Sequence, residues 1–218
     1  MTLRKFLPNV EMSLSESDLY RTIIKPSEEV LYKEKNSKFY AYAFPVNSEE
    51  DVKGHIEALK KQHHAARHWC YAYQLGLEEH ELIYRANDDG EPSNSAGIPI
   101  YGQIQSFELT NVLIVVVRYF GGVKLGVGGL ISAYRTAAQM ALGKSEIIQK
   151  TIDLNLSLKF DYTLLNIVMR VIKEENLNIA TQEMQMNCKL VLTVRKNDLQ
   201  KIKNRFENIY GVDVEIIP

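Results

Sequence analysis

Apolar and polar positions alternate most regularly in the last third of the chain. From residue 152 to 160 every second side chain is apolar (Ile152, Leu154, Leu156, Leu158, Phe160), which predicts a half-buried strand. The period then lengthens. Leu164, Leu165, Val168, Met169 and Ile172 recur at helical spacing behind Asp161, a residue suited to cap a helix. Strands are predicted at 179–184 and 187–194, the second alternating through Cys188, Leu190, Leu192 and Val194. A second helix follows Asn197, its expected cap, and uses Leu199, Ile202, Phe206 and Ile209; residues 212–217 close as a strand. The order is βαββαβ, the ferredoxin-like arrangement.

The first two thirds of the chain mix periods. Residues 1–20 show none and are expected to form a flexible or loosely docked arm. Paired strands are predicted at 29–33 and 38–46. Ser48 with Asp51 forms a capping box, and the helix behind it places Val52, Ile56, Leu59, His63 and Ala66 on one face. Strands at 68–75 and 82–85 lead to a polar loop at 87–96 and a helix at 98–107 with Pro99 in its first turn. The unbroken apolar run 111–117 predicts a buried central strand. A helix at 128–142 packs through small residues, among them Ala137, Ala138 and Ala141. The fold class is therefore α+β, with an arm at 1–20, a mixed domain at 21–147 and a ferredoxin-like domain at 148–218. Composition supports the division: from Thr151 to Tyr210 there is neither Gly nor Pro.

Composition and charge narrow the function. The 218 residues carry 26 Lys+Arg against 27 Asp+Glu, a net charge of −1. Residues 1–150 hold 17 basic and 18 acidic side chains, and residues 151–218 hold 9 of each. Bulk charge thus excludes a uniformly basic nucleic-acid coat protein, and any charged patch must arise from arrangement in space. Cys70 and Cys188 stand far apart, which excludes a disulfide scaffold and a four-cysteine zinc site and fits a reducing compartment. No apolar run reaches bilayer length and the N-terminus lacks a signal-peptide core, so a cytoplasmic protein with no membrane partner is expected.

Three segments have the chemistry of a site. The first runs from a buried strand through glycines into a helix, VVVRYFGGVKLGVGGLISAY at 115–134. Gly121, Gly122, Gly126, Gly128 and Gly129 let backbone N–H groups face a ligand, the helix N-terminus favours an anion, and Arg118 and Lys124 supply charge for phosphate or nucleic acid. The spacing is neither the P-loop nor GxGxxG, because no Lys-Ser/Thr pair follows Gly126 and Ile131 holds the place of a third glycine. Tight helix–sheet packing would use the same glycines. The second segment, NDDGEPSNSAGIP at 87–99, crowds Asp88, Asp89 and Glu91 around Gly90 and Pro92. A structured polar loop is favoured there over a Mg²⁺ site, and no nucleophile elbow frames Ser93 or Ser95. The third, KKQHHAARHWCY at 60–71, sets His64 and His68 four apart, the spacing zinc uses on a helix, but without the HExxH glutamate. A basic and aromatic edge that meets RNA or an acidic partner is favoured there.

In order, NSKF at 36–39, AARHWCYA at 65–72, DDGEPSNSAGIP at 88–99 and VVRYFGGVKLGVGGLISAY at 116–134 resemble the YigZ/IMPACT family. Ser95 departs from the family's Thr and keeps the hydroxyl. The resemblance implies a first domain folded like the second domain of a small-subunit ribosomal protein, as in elongation factor G domain IV, and a second domain like its domain V. It also implies a link to translation, since eukaryotic members regulate the kinase that senses amino-acid starvation. The expected role is a non-enzymatic regulator that contacts RNA or a ribosome-associated protein, with Arg67, His68, Arg118, Lys124 and Arg135 converging beside the glycines. No metal or cofactor is expected. Two alternatives remain open at this point. One is a partner-docking module without nucleic acid. The other is a nucleotide-binding enzyme that holds phosphate on the glycines and uses Asp88, Asp89 or Glu91 for a metal or as a base.

Overall fold

The computed structural model describes residues 18–217, with eleven strands and five α-helices among them. Contacts divide these residues into two units: Tyr20–Lys150, and residues 151–217 together with Asp18 and Leu19. The first unit contains β1 (Leu19–Ile23, all but Leu19), β2 (Val30–Glu34), β3 (Ser37–Pro45), α1 (Glu49–Gln62), β4 (His68–Leu75), β5 (Ile83–Asn87), α2 (Gly97–Ser106), β6 (Val112–Tyr119), α3 (Gly126–Gly143) and β7 (Ile147–Thr151, all but Thr151). Five of these strands form one antiparallel sheet in the order β2-β3-β6-β4-β5.

The apolar run expected to be a central strand is β6, at the middle of that sheet. It is apolar at successive positions because both of its faces are covered. Val112, Ile114 and Val116 join the core built with Ala133, Ala137 and Ala141 of α3, whereas Leu113, Val115 and Val117 meet Val52 and Leu59 of α1. The alanines let α3 approach the sheet closely. The capping box forms as expected: Ser48 accepts from the Asp51 N–H, and Asp51 accepts from the Ser48 N–H.

The second unit contains β8 (Asp153–Asp161), α4 (Leu165–Glu174), β9 (Asn178–Glu183), β10 (Asn187–Arg195), α5 (Leu199–Glu207) and β11 (Val212–Ile217). The sheet order β11-β8-β10-β9 is antiparallel throughout, and the connectivity is βαββαβ. Leu156, Leu158, Leu190 and Leu192 face Val168 and Ile172 of α4 and Ile202 and Phe206 of α5.

Several local expectations are corrected. Most of the expected arm lies outside the described residues, but Asp18 is buried and paired with Arg195, and Leu19 and Tyr20 begin β1, which pairs with β7. Neither β1 nor β7 was expected, because LYRTI and IIQKT are short and only weakly alternating. Met169 is exposed, and Val171 takes the inward place. Asn197 lies inside a short 3₁₀ turn at Lys196–Asp198 and does not cap α5. No described helix is long and apolar enough to cross a membrane.

Candidate functional site

The glycine-rich segment leaves β6 at Tyr119 and enters α3 at Gly126, two residues before the expected start. The loop is therefore 120–125, and Gly126, Gly128 and Gly129 belong to the first turn of the helix. That turn has no side-chain cap and no acidic residue, so its N–H groups face outward without partners from the helix itself. Gly121 and Gly122 have distinct roles. A Cβ on Gly121 would stand 2.0 Å from the Asn36 carbonyl carbon, so only glycine lets the loop lie against the β2–β3 turn. Gly122 has φ +87°, in the left-handed region, with open space around it. The Gly121 N–H donates to Ser37 Oγ at 3.2 Å, which fastens the loop to the start of β3.

Beneath this loop lies a buried polar cluster. Arg118 is only 5% exposed and donates to Glu91 Oε1 at 2.6 Å. The Tyr134 hydroxyl of α3 donates to the same oxygen at 2.8 Å, and the guanidinium lies between the rings of Phe39 and Phe120, 5.5 and 5.6 Å from their centroids. Arg118 is thus corrected from a surface cation to an internal one: its charge is met by Glu91 and two aromatic faces. Cys70 is fully buried, 3.0 Å from the Asp88 carbonyl and 3.3 Å from the Tyr134 hydroxyl, and burial pushes its thiol far above the usual range.

The other carboxylates of the acidic loop are engaged as well. Asp88 Oδ1 accepts the N–H groups of Ala96 and Gly97 at the start of α2, and its Oδ2 accepts that of Asn94. Asp89 Oδ2 accepts the Trp69 N–H at 2.7 Å, and the Asp89 carbonyl meets His68 Nδ1 at 2.8 Å. Gly90 has φ +85° and abuts His68. Glu91 and Pro92 turn the chain, and the buried Ser95 donates its hydroxyl to the Pro92 carbonyl at 2.6 Å. Among the described residues, no group of three His, Cys, Asp or Glu is placed to hold a metal. The His64–His68 pair of the zinc alternative does not share a helix, because α1 ends at Gln62 and His68 opens β4.

The remaining predicted cations divide. Arg67, one residue before β4, and Lys124, in the loop, are exposed at the same end of the sheet. His68 is half-buried there and is the register partner of Arg118 across β4–β6. Arg135 is exposed but lies nine residues into α3, about 13 Å along the helix from its start, so it does not join them. In its place the structure adds three lysines that motif reading missed. Lys33 and Lys38 face each other as register partners in β2–β3, Lys35 sits in the turn between them, and all three are exposed. The signal was present in the predicted strands at 29–33 and 38–46, whose antiparallel pairing sets the two lysines opposite each other. Like charges so placed are destabilising unless an anion answers them. Lys33, Lys35, Lys38, Arg67 and Lys124 form no ion pair with other described residues.

Fold and site together define a two-unit α+β protein whose first unit gathers exposed cations and glycines at one end of its sheet. The description "Impact N-terminal domain" matches residues 35–142. The IMPACT family member YvyE of Bacillus subtilis is 36% identical over 155 residues, covering 71% of this chain and 70% of the relative. An IMPACT family member of Haemophilus influenzae is 33% identical over 180 residues, covering 80% and 86%. The chain belongs to the IMPACT family. A solved structure described as a hypothetical protein is similar over 92% of this chain and 98% of its own, with a TM-score of 0.71 at 24% identity, a likeness of fold.

Proposed function

We propose that the protein is a non-enzymatic, translation-associated regulator of the cytoplasm that contacts RNA, alone or within a ribosomal particle, through the cationic end of its first unit. One observation carries this reading. The three carboxylates of the acidic loop, Asp88, Asp89 and Glu91, are engaged on the start of α2, Trp69 and Arg118 respectively, and Glu34 of the β2–β3 hairpin accepts from Tyr32, which leaves Lys33, Lys35, Lys38, Arg67 and Lys124 without an ion pair among the described residues. A neutral chain thereby presents a local positive surface beside outward backbone N–H groups, the pattern that phosphate backbones require.

Binding rather than catalysis is supported by the condition of the would-be reactive groups. Cys70 is buried with its thiol held protonated, and the Ser95 hydroxyl is committed to a carbonyl. We read the two units as counterparts of domains IV and V of elongation factor G, in keeping with the family resemblance. Affinity capture of the full chain from lysate, with and without nuclease, tests the proposal. Ribosomal material that is lost on nuclease treatment is the expected result. Capture that survives nuclease favours docking on a protein and overturns the RNA contact.

A further inference from the structure

Helix α1 covers only part of its side of the five-stranded sheet. Toward β5 the sheet face is left partly open, and the structure shows a cleft there of about 260 Å³. Trp69 and Tyr71 form its floor, with Lys53, Ile56 and Lys60 of α1 as one wall. Both aromatic side chains are half-buried. Two residues apart on one strand, they stand side by side about 7 Å apart on one face. The Tyr71 ring is held parallel to that of Tyr73, with centroids 6.4 Å apart and planes 6° apart, and Tyr73 is anchored by its hydroxyl on Glu49. Tyr71 is thereby braced by a ring that is itself anchored.

The lining balances two cations, Lys53 and Lys60, against two carboxylates, Glu57 and Asp89, and Arg85 on the adjoining strand adds a third cation nearby. Lys53, Lys60 and, on the adjoining β5, Arg85 are exposed and form no ion pair with other described residues. Glu57 is the exposed carboxylate of the wall, while Asp89, at the far end, is held by the Trp69 N–H. Lys60 Nζ lies over the indole, 5.7 Å from its centroid. An exposed side chain, it can be displaced by a flat ligand, which frees its ammonium for a phosphate. The indole Nε1–H is buried without a hydrogen-bond acceptor. Partly exposed aromatics side by side on a sheet, with lysines beside them, are the arrangement on which unpaired bases stack.

We infer that this cleft receives a base of single-stranded RNA, stacked on Trp69 and Tyr71, with Lys60 and Arg85 on the flanking phosphates. The inference rests on the RNA reading above and locates it. Trp69 connects the two surfaces: its backbone N–H meets Asp89, whose carbonyl holds His68 at the cationic end.

The chain has a single tryptophan, so its emission reports on this cleft alone. The full-length protein is titrated with an oligouridylate of about ten nucleotides at about 50 mM salt, following Trp69 emission and, in parallel, the anisotropy of the labelled strand. Quenching that saturates together with anisotropy is expected. Lys60→Gln and Tyr71→Leu should each weaken binding about tenfold, with urea midpoints checked for both; Lys60 is exposed, so its variant tests the site even if Tyr71→Leu is poorly folded. A rise in anisotropy with unchanged Trp69 emission overturns this site and leaves the proposed function standing. No binding by either signal overturns both. Equal quenching by uridine monophosphate or by polyglutamate at the same concentration overturns the strand assignment, in favour of a free-nucleotide or an acidic-protein site respectively.

Discussion

Glu91 is the residue on which the candidate site depends most. Its carboxylate is 4% exposed and accepts from both Arg118 and Tyr134. Removing one partner of a buried pair strands the other charge. Glu91→Ala should therefore lower unfolding stability by about 3–5 kcal/mol in urea denaturation, and Glu91→Met with Arg118→Met should recover much of it. A loss under about 1 kcal/mol would be the signature of an exposed pair instead. His63 gives a second residue-scale prediction. The Tyr42 hydroxyl donates to Glu29 and so accepts from His63 Nε2–H, while Nδ1 meets the Tyr119 hydroxyl at 3.1 Å. Burial holds the His63 pKa below its ordinary 6.5 even though Glu29 pulls it upward. The unfolded chain consequently binds the extra proton more readily. Stability is fully present above pH 6.5 and is lost as pH falls toward the lowered folded value. The urea midpoint should drop between pH 7.5 and pH 5.5, and His63→Gln should flatten that drop. An unchanged profile in the variant would show that other groups carry it.

At the scale of elements, the glycines separate into structural and free positions. Gly121→Ala places a Cβ 2.0 Å from backbone at Asn36 and should destabilise severely or prevent folding, whereas Gly128, with open space around it inside α3, should tolerate Ala and gain about 0.5–1 kcal/mol. Thermal unfolding of the two variants checks the contrast; equal losses would mean that the loop is not fastened to the β2–β3 turn. The same contrast shows what sequence can and cannot reveal. The βαββαβ unit was readable because its strands bury one face and alternate, as Leu156, Leu158, Leu190 and Leu192 do. The central strand β6 was readable from its unbroken apolar run. The ribbon of β1 and β7 was not, since five-residue strands pair without a strong period. Within the site, the motifs were found but the roles of their charges were not. Arg118 follows Val117 as the next residue of a buried strand, and its burial depends on Glu91 arriving from a loop 27 residues earlier in the chain.

For the whole molecule, the net charge of −1 conceals an uneven distribution. At one end of the first unit the acidic loop turns inward and the lysines of β2–β3, Arg67 and Lys124 turn outward. Of the cations expected from the motifs, Arg67 and Lys124 are exposed at this end. Arg118 is buried, because tertiary packing brings Glu91 to it, and Arg135 lies further along α3. The aromatic cleft beside α1 continues from the same end through Trp69, Asp89 and His68.

RNA binding by this end, rather than by total charge, is the proposal to be tested. The most direct test is the salt dependence of oligoribonucleotide binding by the full chain, compared with Lys124→Glu combined with Arg67→Glu. Each phosphate contact contributes about 0.7 to the slope of log K against log salt for a single strand. The slope should be about 2–4 for the natural chain, and it should fall by more than 1 in the double variant as affinity falls with it. A slope and affinity unchanged by reversing both charges would mean that RNA is not bound at this end.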